Sequence, residues 1–203
     1  MIMKCLPTGI LSSNCYIIGD GGEGAVIDPG VKSPEIMAVL ESEGLRLKYI
    51  ILTHVHLDHI IYMEDLRQHY GAPVLVHRLD ADALGDPMRN GAGLFGLKTV
   101  FKAADICLEH GDVHMTGGQR LEIIHTPGHT AGSICIKAGG SLFTGDTLFR
   151  QGIGRTDLEG GNTKDIMESL ANRLMSLGDE TKVYPGHGTQ TTIGYERRNN
   201  PYL

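Results

Sequence analysis

The hydrophobic pattern changes period several times along the chain. Near the start, "NCYIIG" (Asn14 to Gly19) and "GAVIDPG" (Gly24 to Gly30) are short β-branched runs with glycines between them, which predicts a hairpin. "SPEIMAVLESEG" then has helical spacing, with Ser33 as N-cap, Pro34 at the first helical position, Ile36, Val39 and Leu40 on one face, and Gly44 as the stop. "LKYIILT" reads as a buried strand, and Ile60 to Tyr70 as a helix with Met63, Leu66 and Tyr70 along one side before Gly71. "PVLVH" (Pro73 to His77) is another short strand and "RLDADAL" a short helix. From Gly85 to His110 the period is lost among glycines, which predicts a long surface loop of the kind that often carries function.

The second half returns to strand runs in "RLEIIHTPGH", "GSICIKAG" and "GSLFTGD". A helix follows over "TKDIMESLANRLMSL", where Ile166, Leu170 and Leu174 recur every fourth residue, then the strand "KVYPGH" and a polar last segment, "TTIGYERRNNPYL". Each half runs strands, helix, strand, and no Pro/Ser-rich linker separates them. The expected fold class is α/β: two sheets packed face to face with helices outside, in one domain spanning residues 1–203.

Composition narrows the function classes. With 18 Lys and Arg against 24 Asp and Glu the net charge is −6, and no basic stripe is present to track phosphates, so nucleic acid is not an expected partner. The apolar runs are too short for a membrane span, and "MIMKCLPTG" lacks the apolar segment of a secretory signal. The expectation is a soluble, cytoplasmic protein without a membrane partner. Cys5, Cys15, Cys107 and Cys135 form no CxxC pair and read as reduced structural thiols.

The chemistry concentrates in "THVHLDH", which places His54, His56, Asp58 and His59 directly after a strand. Alternate side chains of an extended segment point the same way, so His54 and His56 reach one ion together. Asp58 and His59 begin a helical turn that redirects them, which favours two neighbouring ions over one. Imidazole and carboxylate at this density suit Zn, Mn or Fe, and the absence of a nearby cysteine argues against a closed structural zinc site. Three more candidates each end a strand beside glycine: His129 in "HTPGHT", Asp146 in "LFTGDT" and His187 in "VYPGHG". Together they make seven ligands, three plus three with one carboxylate able to bridge, a set suited to two ions roughly 3.5 to 4 Å apart. Asp28, before Pro29 and Gly30, is either a turn residue or a brace behind the site. Arg155 in "GIGRTDLEGG" is either an anchor for an anionic substrate or an ordinary surface arginine.

Taken in order, "VIDPG", "THVHLDH", "TPGHT", "GDTLF" and "YPGHG" resemble the metallo-β-lactamase fold superfamily, and within it the short, single-domain glyoxalase II-like branch. The resemblance implies a four-layer αβ/βα sandwich without the C-terminal helical substrate domain of glyoxalase II proper. It implies His54, His56 and His129 on the first metal, Asp58, His59 and His187 on the second, and Asp146 bridging, with zinc as the leading metal. Hydrolysis of a small thioester of the hydroxyacylglutathione type is the implied activity, by hydroxide formed between the ions, with Asp58 also orienting it. Another ester or a lactone is an alternative substrate, and a persulfide dioxygenase with one ferrous ion on His54, His129 and Asp146, or a similar subset, is the alternative from a second reaction class. Antibiotic hydrolysis is less expected, because secreted β-lactamases of this fold carry a signal and differ after the motif aspartate. "DHIIYM" stands where many relatives have glycines, which places Ile61 and Tyr62 as candidates for the pocket wall.

Overall fold

The computed structural model describes residues 2–203. The first half of the chain builds one sheet from β1 (Ile2–Leu6), β2 (Cys15–Asp20), β3 (Glu23–Ile27), β4 (Arg46–Ile51), β5 (Val74–His77) and β6 (Ile106–Leu108), in that spatial order. The second half contributes β7 (Val113–Thr116), β8 (Gln119–His125), β9 (Ile134–Ala138), β10 (Ser141–Gly145), a separate small hairpin β11 (Leu148–Phe149) and β12 (Gly152–Ile153), then β13 (Lys182–Pro185) and β14 (Thr191–Thr192). Its sheet runs β14-β13-β10-β9-β8-β7. In the first sheet β3, β4 and β5 are mutually parallel; in the second, β10 is parallel to β13.

The central strands β2, β3, β5, β9 and β10 are almost wholly buried because both faces of each sheet are covered there. Ile18, Ile27, Ile51 and Leu75 turn inward and pack against Ile123, Ile136 and Phe143 of the opposite sheet. Their immediate neighbours Ile17, Val26, Ile50 and Val74 point the other way, onto Ile36 and Leu40 of α1 (Ser33–Ser42). The short α2 (Leu57–Ile60) and then α3 (Met63–Tyr70), through Met63 and Leu66, complete that layer. On the far side α4 (Thr163–Ser169), a π turn at Leu170–Leu174 and α5 (Ile193–Asn199) cover the second sheet through Ile166, Leu170, Leu174 and Ile193. The result is the four-layer αβ/βα sandwich.

Several local expectations change. Ser33 is the first residue of α1 rather than its cap; Lys32 holds the cap position, and the Ser33 hydroxyl donates to Asp65 Oδ2 at 2.8 Å, tying α1 to α3. The helix expected over Ile60 to Tyr70 is interrupted at Ile61 and Tyr62, where α2 stops and α3 starts. The Gly85 to His110 segment is not all loop: it holds a 3-10 turn at Ala92–Phe95 and β6, which pairs in parallel with β5. The polar last segment contains α5, started by the Thr192 hydroxyl, which accepts the Tyr195 N–H at 3.1 Å. Among the described residues no helix is long and apolar enough to cross a membrane.

Candidate metal centre

All seven predicted ligands meet at one end of the sandwich, because each follows a strand or the turn after it. His54 and His56 follow β4, Asp58 and His59 lie on α2, His129 follows β8, Asp146 follows β10 and His187 follows β13. The convergence depends on close backbone approach. A Cβ on Gly30 would lie 1.8 Å from the Asp58 carbonyl oxygen, and one on Gly186 would lie 2.2 Å from Asp146 Oδ1 and 2.7 Å from His59 Cε1. Only glycine fits either place.

Two groups form. In the first, His56 Nδ1 lies 2.9 Å from His129 Nε2, and the His54 ring stands edge-on to both. In the second, His59 Nε2 lies 3.1 Å from His187 Nε2, and Asp58 Oδ2 lies 3.2 Å from His187 Nε2. Asp146 stands between the groups: Oδ1 is 3.4 Å from His59 Nε2, while Oδ2 is 3.6 Å from both His129 Nε2 and His187 Nε2.

Surrounding hydrogen bonds fix which ring nitrogen faces the centre. His129 Nδ1 donates to the Arg155 carbonyl at 2.8 Å, and His59 Nδ1 donates to Asp28 Oδ2 at 3.1 Å. The Thr53 hydroxyl donates to Asp28 Oδ2 at 2.6 Å, so its oxygen accepts from His54 Nδ1 at 3.1 Å. In each case Nε2 is the nitrogen turned inward, the arrangement typical of metal-ligating histidines held from behind through Nδ1. Asp28 thus orients two rings, and it does so from φ 53, a left-handed backbone that a non-glycine residue holds at a cost of roughly 1–3 kcal/mol. Its bond from the Thr53 N–H at 2.7 Å helps to hold that conformation.

The two groups differ electrostatically. Burial, reinforced by the neighbouring rings, holds His54 well below the usual histidine value and His56 down to about 3. At His59 burial also opposes charge, but Asp146, Asp28 and Asp58 outweigh it and push the ring up to about 10. His187 is raised too, burial being overcome by Asp58 and Asp146. Burial lifts Asp58, but the hydrogen bond from His187 and the charges of His59 and His187 bring it down to about 2.

The residues fit divalent metal binding. Among the described residues, His54 Nε2 and Asp146 Oδ1 are buried without a hydrogen-bond partner, one in the first group and one between the two. Such orphans are rare in folded proteins and need a reason. Imidazole nitrogens with a bridging carboxylate are a donor set for Zn, Fe or Mn, and the carboxylates that hold protons on His59 and His187 would equally hold a cation.

A family model described as Metallo-beta-lactamase superfamily matches residues 8–187. The chain belongs to that superfamily. It is 35% identical to the hydroxyacylglutathione hydrolase GloC of Haemophilus influenzae, the alignment covering 100% of this chain and 98% of the relative. Among solved structures it is similar to BLEG-1 B3 metallo-beta-lactamase (TM-score 0.94, 35% identity, 100% of this chain and 99% of that one). It is also similar to ETHE1 from Myxococcus xanthus (TM-score 0.86, 33% identity, 99% and 84%).

Within this superfamily fold the centre floors a cleft of about 230 Å³. His56, Asp58, His129, Asp146 and His187 form its floor. Arg155 lines it, with its guanidinium paired to Asp157 at 2.7 and 2.8 Å. Ile61 and Tyr62 do not belong to its wall: Ile61 packs against the core under α1, and Tyr62 sits at the N-cap of α3. Sequence reasoning also passed over residues that hold the ligands. Thr53 was inside the quoted motif without a role. Buried Asp80 accepts from the Thr130 hydroxyl at 2.7 Å and the Gly132 N–H at 2.8 Å, bracing the turn that carries His129. Nothing near Asp80 in the sequence signals that contact, since its partners lie about fifty residues away.

Proposed function

We propose that this protein is a binuclear metallohydrolase of a single domain, acting on a small thioester of the hydroxyacylglutathione type. The observation that carries the reading is the convergence of seven donor residues with two orphaned buried atoms, His54 Nε2 and Asp146 Oδ1. His54, His56 and His129 would hold the first ion; Asp58, His59 and His187 the second; Asp146 would span both. Two divalent ions held there, zinc first, would supply an acidified water and electrophilic assistance to the carbonyl.

The chain's own residues do the rest. Asp28 fixes His59 through Nδ1, and the Arg155 carbonyl fixes His129 through Nδ1, so the ligand nitrogens stay aimed at the centre. Asp58 lines the cleft and, kept ionised by His187 and His59, accepts the hydrogen bond that orients the attacking water. Arg155 faces the substrate at the rim. Among the described residues no serine or cysteine lines the cleft, and the reading assigns attack to water.

Similarity to GloC supports the thioester, and similarity to ETHE1 supports a second reading, persulfide oxidation at a single ferrous ion on His54, His129 and Asp146. Metal-to-protein ratio with metal identity, combined with hydrolysis of S-lactoylglutathione, separates them. About two ions per chain and turnover well above a His54→Ala control support hydrolysis. One iron per chain with oxygen consumption supports the second reading, and no hydrolysis of any acyl thioester above the control refutes the first. Similarity to BLEG-1 makes a chromogenic cephalosporin the necessary comparison substrate in the same assay.

A further inference from the structure

The rim of the cleft contrasts with its floor. Leu11, Leu94 and Phe95 line the mouth at 62%, 63% and 50% exposure, joined by half-buried Leu158. They come from three separate segments: the β1–β2 connection, the 3-10 turn at Ala92–Phe95, and the stretch after β12. Scattered exposed leucines need no explanation, but apolar side chains from three segments meeting at one mouth do.

Leu11 sharpens the point. It sits at φ 55, ψ 22, a left-handed conformation that leucine adopts at a cost of roughly 1–2 kcal/mol. Its side chain recovers little of that through burial, being exposed. Strain unrepaid by the core, next to a site, points to a role in binding. The charge at the mouth points the same way. Among the described residues Arg155 is the only lysine or arginine lining the cleft, and its Nε and Nη2 both donate to the Asp157 carboxylate. An anionic peptide thiol such as glutathione meets a neutralised cation there, whereas an apolar chain meets four matching walls.

We infer that Leu11, Leu94, Phe95 and Leu158 are specificity-determining residues that select thioesters carrying an uncharged, apolar body beside the scissile carbonyl. This rests on the hydrolytic reading of the site, keeps its thioester chemistry, and replaces the glutathione body of that reading with an apolar one. Burying each methylene against these walls should raise kcat/KM about threefold to fourfold until the chain outgrows the rim.

The metal-loaded full chain is assayed with S-acetyl-, S-butanoyl- and S-hexanoyl-N-acetylcysteamine and with S-lactoylglutathione. The expected result is a rising series in which the hexanoyl compound exceeds S-lactoylglutathione, and a flattened series in Leu94→Ser combined with Phe95→Ser. A flat series in the unaltered protein, or the same slope in the double variant, overturns the inference. A binding readout makes it independent of turnover. The chain contains no tryptophan, so Phe95→Trp gives a single fluorescent reporter at the mouth. Titration with N-acetyl-S-hexylcysteamine, a thioether that cannot be hydrolysed, should give a saturable blue shift, and N-acetyl-S-methylcysteamine a far weaker one. No shift with either overturns the inference. A saturable shift in a protein that hydrolyses none of the thioesters refutes the proposed reaction while the apolar mouth stands.

Discussion

The two ligand groups share Asp146 but are built on opposite electrostatic plans. The first, His54, His56 and His129, brings three imidazoles together with no carboxylate of its own, and burial keeps His54 and His56 unprotonated. The second, Asp58, His59 and His187, is backed by Asp28 and faces Asp146, and the carboxylates hold charge on His59 and raise His187 above the usual histidine value. A group of lone pairs and a group of charges therefore sit side by side. In the first, His54 and His56 offer lone pairs already free of protons; the second offers negative charge that a cation can exploit in place of protons. Such a difference divides labour without any difference in residue spacing.

Asp146→Ala breaks the comparison at its hinge. Elemental analysis should show metal falling in both groups, and turnover should drop by more than about 100-fold, beyond the effect typical of an outer-shell partner. Unchanged turnover refutes the bridging assignment. Next in size, His54→Ala and His187→Ala should each remove about one ion per chain but from different groups. Titration calorimetry should show the first variant losing the site that needs no proton release and the second losing the other; two identical isotherms would mean that the groups are not distinct. Asp28→Ala is smaller and more selective. Affinity of the group containing His59 should weaken about 10–100-fold, more than that of the group containing His54, which Asp28 reaches only through Thr53. An equal loss in both would show that Asp28 supports the whole turn rather than one ring.

The smallest effect is at a histidine pair that resembles the first group in chemistry but not in geometry. His77 and His125 stack at 3.9 Å with nearly parallel planes, and His125 Nε2 is taken by the Ala131 carbonyl at 2.9 Å. Burial, then the proximity of His125 and Arg78, pushes His77 down to about 4, below its ordinary value of about 6.5. The unfolded chain then binds the proton more readily, so stability from this ring is lost as pH falls from about 6.5 toward about 4. His77→Gln should leave metal content unchanged, and its urea midpoint should fall less between pH 7 and pH 5 than that of the unaltered protein. An equal fall would remove His77 from the account.

Legibility followed the strength of the local signal. The strands around the site were visible because both faces of each sheet are buried, which leaves unbroken runs such as "YIIL" before His54. β6 was invisible because Ile106 and Cys107 are exposed and its identity rests on backbone pairing to β5, which side-chain pattern does not report. The break at Ile61 and Tyr62 was hidden because helical spacing continues through it; what interrupts the helix is the Tyr62 N–H donating to the Pro29 carbonyl at 3.1 Å, a contact between distant segments. Arg197 and Arg198, to which the sequence assigns no role, likewise answer to partners distant in the chain. Arg197 reaches the Met175 and Leu177 carbonyls at 2.7 and 2.9 Å, and both arginines pair with Asp179.

By itself the sequence determined the αβ/βα sandwich, the seven donors and the order in which they leave their strands. These are properties of period and residue type, and both are written locally. Tertiary structure decided the rest: which nitrogen of each ring faces inward, that Asp146 stands between the groups, that carboxylates charge one group and not the other, and that Leu11, Leu94, Phe95 and Leu158 meet at the mouth. Those properties depend on distances between residues far apart in the chain, and over such separations the solvent screening and burial that set charge and contact exist only once the sheets have packed.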